Sequence, residues 1–108
     1  MNRGDLWTVA GGVYASKPRP ALIIQDDAFE ETDSVTVVPL TTHLADAPLV
    51  RIPIPSSQLS GLDLDSEAMV DKVTTVRRAN IVSRVGRVTA EQLLEVERAM
   101  MAFLGLAR

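Results

Sequence analysis

The chain has 108 residues, 46% of them hydrophobic, with no cysteine, one histidine and a formal net charge of −3. That length suits one domain, 1–108, around one core, and the apolar content argues against disorder. Without cysteine there is no disulfide frame, a single histidine argues against an all-protein zinc site, and no apolar run approaches the roughly 20 residues that cross a bilayer, so the sequence reads as soluble and cytoplasmic.

Asp5 to Ala10 predicts a first strand, ended by Gly11-Gly12. Residues 11–18 read as a loop, flexible at its glycines and stiffened at Pro18, that carries Tyr14, Ser16 and Lys17. Pro20 to Gln25 contains the run Ala21-Leu22-Ile23-Ile24, as expected of a strand covered on both faces. Asp26 to Asp33 is too acidic for the core and predicts a turn or short helical bend. Ser34 to Leu40 is β-branched and predicts a third strand, with Pro39 near its end and Thr41-Thr42-His43 where it opens into a loop.

Residues 44–49 predict a loop, and 50–54 an edge strand marked by Pro53 and Pro55. Residues 56–67 read as a connection, 68–76 as one further strand, and Ser83 to Val88 as the last, with Gly86 at a bulge or close approach. Thr89 and Gln92 form a capping box, after which Leu93, Val96, Met100, Phe103 and Leu104 recur at helical spacing until Gly105. The stripe predicts core or dimer packing. Short strands closed by one terminal helix predict a mainly β (α+β) fold, a small curved antiparallel sheet or open barrel.

Chemistry concentrates at the strand ends. In Lys17-Pro18-Arg19-Pro20, each proline fixes its own φ, and Pro20 also pushes Arg19 into extended backbone, so the guanidinium stands on a stiff stalk. Its planar fork suits phosphate oxygens, and Lys17 adds a second cation. If the second and third strands are antiparallel neighbours, Arg19 begins one and Thr41 ends the other, at a shared rim. An arginine with hydroxyl donors there would stabilise the charge that grows on non-bridging oxygens during phosphoryl chemistry. Asp71, and His43 as a base or RNA contact, complete the candidates. Each of these residues also has an ordinary structural reading, as a solvated arginine, a β-branched strand end, a paired carboxylate or an idle loop histidine.

Charge is unevenly spread. Residues 26–33 hold five acids and no base, whereas 72–87 hold Lys72, Arg77, Arg78, Arg84 and Arg87 and no acid. A phosphate backbone responds to a local patch rather than to net charge, although the same bases also fit the solvent face of strands.

The order of these motifs resembles the MazF/PemK family of toxin endoribonucleases. The resemblance is carried by Arg3-Gly4-Asp5-Leu6-Trp7, Arg19-Pro20-Ala21-Leu22-Ile23-Ile24, Val38-Pro39-Leu40-Thr41-Thr42 and Val70-Asp71-Lys72-Val73, with the capped helix ending at Leu104-Gly105. It implies an SH3-like, PemK/CcdB-like barrel, a homodimer, and a MazE-like antitoxin whose acidic tail covers the groove. It further implies metal- and cofactor-independent, sequence-selective cleavage of single-stranded RNA, by 2′-hydroxyl attack, to 2′,3′-cyclic phosphate and 5′-hydroxyl ends. Arg19 and Thr41 take the catalytic positions, and Tyr14, Lys17, Thr42, His43, Asp71, Lys72, Arg77 and Arg78 are the expected RNA contacts.

Two departures stand out. Some relatives carry an arginine where Met69 stands, two residues before the strand aspartate, and an acid or histidine in the loop that here reads Val13-Tyr14-Ala15-Ser16. Arginine, with a pKa above about 12, is a poor base, so Arg19 is assigned to charge stabilisation. The base is left among Asp71, His43 and a deprotonated Arg19. Two other readings compete: a gyrase poison of related fold, disfavoured by a C-terminus without tryptophan, and a non-catalytic nucleic-acid-binding barrel.

Overall fold

The computed structural model describes residues 1–11 and 15–107. Seven antiparallel strands form one curved sheet: β1 (Asp5–Gly11), β2 (Ala15–Ile23), β3 (Ser34–Thr41), β4 (Arg51–Ile54), β5 (Ser66–Met69), β6 (Thr74–Arg77) and β7 (Ile81–Arg87). Their order is β4-β5-β3-β2-β1-β7, with β6 also paired to β3, and the helix α1 (Ala90–Phe103) follows.

Alternation along the strands sorts the apolar residues into two clusters. Leu6, Leu22, Val38, Leu40, Ile52 and Ile54 join Val96 of α1 on one face, while Val9, Ala21, Ile23, Val35, Val37 and Val76 pack on the other. Because both faces are covered, the central strands read as nearly unbroken hydrophobic runs, and each fully buried Val, Leu or Ile contributes about 1.5–3 kcal/mol. The capping box forms as expected: the Gln92 N–H donates to Thr89 Oγ1 at 3.1 Å, and the Thr89 N–H to Gln92 Oε1 at 2.8 Å. Val96 is the fully buried residue of the helical stripe, whereas Phe103 and Leu104 are exposed.

The structure differs from the sequence expectation in two places that matter. Lys17 and Pro18 belong to β2, which pairs with β1 as far as Gly11↔Ala15, so the connecting loop is shorter than 11–18. The stretch 68–76 is not one strand. Leu40 faces Ala68 and Val37 faces Thr74, so β3 advances three residues while the opposite chain uses six. The surplus is a 3₁₀ turn, Val70–Lys72. Pro39, which has no N–H for the ladder, lies opposite the interruption.

The expected close approach at Gly86 is present. A Cβ there would stand 2.3 Å from the Ser60 carbonyl oxygen and 2.5 Å from that of Leu59. Gly86→Ala should therefore destabilise the protein by about 2–3 kcal/mol, since only backbone movement relieves the overlap. Thr89→Ala should cost about 1 kcal/mol. Urea unfolding of the two variants beside the parent checks both values.

Candidate functional site

The ladder between β2 and β3 runs Ala21↔Pro39, Leu22↔Val38 and Ile23↔Val37. Continued two residues past its last pair, that register would set Arg19 opposite Thr41, but the ladder stops at Ala21. Positions 19, 21 and 23 and positions 37, 39 and 41 lie on the sheet face of the second apolar cluster. At the open end of that cluster is a groove of about 510 Å³, into which Arg19, Lys72 and Arg77 are brought from three separate segments. Pro39, Leu40, Met69 and Val76 supply apolar wall, and among the described residues no carboxylate lines it. A protein with net charge −3 thus holds a cationic groove.

Thr41 is half-buried at the end of β3, and its Oγ1 accepts the His43 N–H at 3.0 Å. This bond tucks the following turn against the strand and leaves the hydroxyl proton to donate. Thr42 and His43 are exposed beside it, and Lys17 is exposed on β2 two residues before Arg19. None of Thr41, Thr42, His43 or Lys17 lines the groove itself; they stand on β2, on β3 and in the turn that follows β3. Tyr14 lies outside the described residues.

Asp71, without an arginine at position 69, is paired with one from another strand. Arg51 Nε donates to its Oδ1 at 2.9 Å and a terminal nitrogen donates to its Oδ2 at 3.2 Å, a two-pronged pair. Arg51 is the cross-strand neighbour of Met69 in the β4–β5 ladder. The guanidinium therefore reaches Asp71 from the adjacent strand, rather than from two residues upstream. The Arg51 hydrogen bond, outweighing partial burial, holds the Asp71 carboxyl below its ordinary range, and the same bond raises Arg51. A carboxylate so engaged is a weak proton acceptor. The pair anchors the 3₁₀ turn whose next residue, Lys72, enters the groove.

The basic stretch is dispersed. Arg78 turns away from the groove, donating through Nε to the Thr32 carbonyl at 2.7 Å. Arg84 reaches the buried Asp5 at 3.4 Å. Burial pushes the Asp5 carboxyl up, but bonds from the Asn2 N–H, Trp7 Nε1 and Arg84 more than offset this and hold it low. Arg51, Thr74, Thr75, Asn80 and Gly11 escaped sequence reasoning as site residues. Their signals are spatial, since a cross-strand register and a groove wall leave no mark in a linear motif.

Residues 2–104 match the sequence profile of the PemK-like, MazF-like toxins of type II toxin–antitoxin systems. The chain belongs to this toxin family. It is 52% identical over 108 residues to a probable endoribonuclease MazF of Mycolicibacterium smegmatis, covering 99% of each chain. The toxin's fold is similar to that of a mycobacterial endoribonuclease solved with its cognate antitoxin, with TM-score 0.82 and 22% identity over 100% of this chain and 98% of the other. The MazE–MazF structure from Deinococcus radiodurans gives TM-score 0.82 at 20% identity, over 99% and 97% of the two chains. No helix among the toxin's described residues is long and apolar enough to cross a membrane.

The Arg51–Asp71 pair carries a definite pH signature. The Asp71 carboxyl is depressed on folding, so its contribution to stability is present above the unfolded carboxylate pKa of about 3.9 and is lost as pH falls through the folded value. Arg51→Ala should cost about 1 kcal/mol near neutrality. That difference from the parent should shrink steadily below about pH 5. Denaturant unfolding at a series of pH values, with carboxyl titration of Asp71 by NMR, checks the sign.

Proposed function

We propose that the toxin is a cytoplasmic endoribonuclease that cuts single-stranded RNA without a metal ion or cofactor, that residues 1–108 act as one domain, and that it works as a homodimer held in check by a MazE-like antitoxin. The observation that supports the reading is the groove that gathers Arg19, Lys72 and Arg77 and is cationic in an otherwise acidic protein, with Thr41 closing the strand that neighbours Arg19's own. Family membership and the 52% identical relative, named a probable endoribonuclease, support the same choice.

In this reading the sugar–phosphate backbone runs along the groove with the scissile phosphate at Arg19 and neighbouring phosphates at Lys72 and Arg77. The 2′-oxygen attacks the adjacent phosphorus, a 2′-O–P bond forms, and negative charge grows on the non-bridging oxygens of a five-coordinate phosphorane. Arg19 receives that charge with charge-assisted donors, on a stalk already ordered by Pro18 and Pro20, so little freedom is lost at the transition state. The Thr41 hydroxyl donates a further hydrogen bond. The P–O5′ bond then breaks, leaving a 2′,3′-cyclic phosphate on one fragment, and the 5′-oxygen takes up a proton to become a 5′-hydroxyl.

The proton of the 2′-hydroxyl needs an acceptor. Asp71 is held by Arg51 as a carboxylate of lowered basicity, and a guanidinium is an unsuitable base. His43, placed by its N–H bond to Thr41, takes the role of base in this scheme. Tyr14, Lys17, Thr42 and Arg77 serve as further RNA contacts. Arg78, engaged with Thr32, contributes to the field around the groove's outer edge rather than to the strand inside it.

Arg19→Ala should lower kcat by about 10²–10³-fold while leaving the unfolding curve unchanged, because Arg19 is exposed. Lys72→Ala should weaken RNA binding evenly across sequences and reduce its salt dependence by about one counterion. Purified toxin incubated with mixed-sequence RNA in EDTA should yield 2′,3′-cyclic phosphate ends. Strict dependence on added Mg²⁺, or 3′-hydroxyl products, would sink the mechanism.

A further inference from the structure

Cations on phosphates fix where a strand lies but carry no sequence information, so a selective nuclease needs neutral groups that bond to base edges. Asn80 is the amide side chain among the described residues that line the groove. It closes the 3₁₀ turn Arg78–Asn80 and is followed at once by Ile81, which is paired to Val9, so its backbone is held on both sides.

Its side chain has an unusual seat. A Cβ built on Gly11 would lie 3.4 Å from Asn80 Cγ, 3.4 Å from Oδ1 and 3.5 Å from Nδ2. Near-equal separation from all three atoms means that the amide lies face-on over the bare Cα of Gly11. Gly11 has φ +83°, a conformation other residues rarely adopt, which keeps that seat free of a side chain. A plane supported from one face presents its rim sideways. That rim has an acceptor and a donor next to each other, and among the described residues it makes no hydrogen bond of its own.

We propose that Asn80, seated on Gly11, is a specificity-determining residue that reads the edge of one base of the bound RNA, and that the base is adenine. The inference rests on the ribonuclease reading above. On its N7 edge adenine shows an amino donor beside a ring-nitrogen acceptor, where guanine shows two acceptors, and a carboxamide bonds that adenine pattern with both of its groups at once. Arg19, Lys72 and Arg77 in the same groove hold the backbone, so the amide is left to select among bases.

The test uses the full chain with a random-sequence RNA pool in EDTA, reading the base preference at every position around the cut for the parent, Asn80→Ala and Asn80→Asp. Thermal melting establishes that each variant is folded; the aspartate keeps the shape of asparagine while removing its donors. The parent should prefer adenine by about tenfold at one position, and Asn80→Ala should bring the four bases there within about twofold without changing the other positions. Asn80→Asp, an acceptor only, should move that same position toward cytosine, whose amino group donates. A parent that cleaves while both variants keep its full profile overturns the assignment of Asn80 alone. Loss of cleavage that is uniform over all sequences also overturns it, since that is the signature of a phosphate or packing role. Loss of selectivity at a position where the parent prefers another base overturns the choice of adenine. A parent that cleaves nothing in the pool overturns the nuclease reading itself.

Discussion

The pairing of β3 along both of its edges is the constraint on which the rest of the molecule depends. On one side it meets β2 from Val37 to Pro39, and on the other it meets β6 and then β5. Its side chains are divided between two cores: Val38 and Leu40 face the helix side, and Val35 and Val37 the other. A slip of one residue would exchange those faces and put Thr36, whose hydroxyl meets Thr75 across the ladder at 3.0 Å, into an apolar cluster. Register is therefore fixed by packing on both faces. Only because it is fixed can Arg19, Lys72 and Arg77, from three segments of the chain, be held in one groove.

The same strand explains how the groove obtains its cations. Where β3 passes Pro39, the facing chain leaves its strand for four residues, Val70 to Val73, and returns. Such an excursion would be loose without a tether, because it gives up ladder bonds. Arg51 supplies the tether from β4, gripping Asp71 with two donors while the carboxylate stays charged. Lys72 is carried toward the groove by its neighbour's ion pair. Several other acids are similarly occupied with structure: Asp26 accepts the Ala28 N–H, Asp27 the Arg3 N–H, and Asp65 the Ser56 N–H. Part of the negative charge is engaged in holding turns, and positive charge is gathered where a polyanion can reach it, so the net charge of −3 says little about the partner.

Much of this was legible in the sequence. The strands at Asp5, Ala21 and Ser34 are apolar runs bounded by turn residues, the helix announces itself through Thr89 and Gln92, and Gly86 marks a place where backbones touch. What was not legible shares a physical cause. Residues 68–76 look like one strand because Val70, Val73 and Val76 have the propensity for it; the missing N–H of Pro39 and the pull of Arg51 lie on other strands. Arg51 itself reads as a solvent-facing residue of an edge strand. Asn80 has no neighbours in sequence to mark it, and its setting comes from a glycine 69 residues earlier. Arg78 and Arg84 were grouped with Lys72 and Arg77 by proximity along the chain, but turns and strand alternation send them in different directions.

The two prolines around Arg19 complete the picture. A proline within a sheet gives up a ladder bond, and β2 carries one on either side of its arginine. The pairs that β2 makes with β3 begin at Ala21, so Pro18 and Pro20 stand where that edge of β2 is already free, although the other edge remains paired to β1 through Thr8↔Pro20 and Val9↔Arg19. The donors they lack are thus missing on the side where the strand has parted from its neighbour. This parting is what opens the rim, and fixed φ angles replace hydrogen bonds in keeping the backbone extended there. Arg19 is consequently both exposed and stiff, a combination that neither a paired central strand nor an ordinary loop provides. An exposed arginine in a loop would lose conformational entropy each time it met a phosphate, and a fully paired one would have no room to meet it.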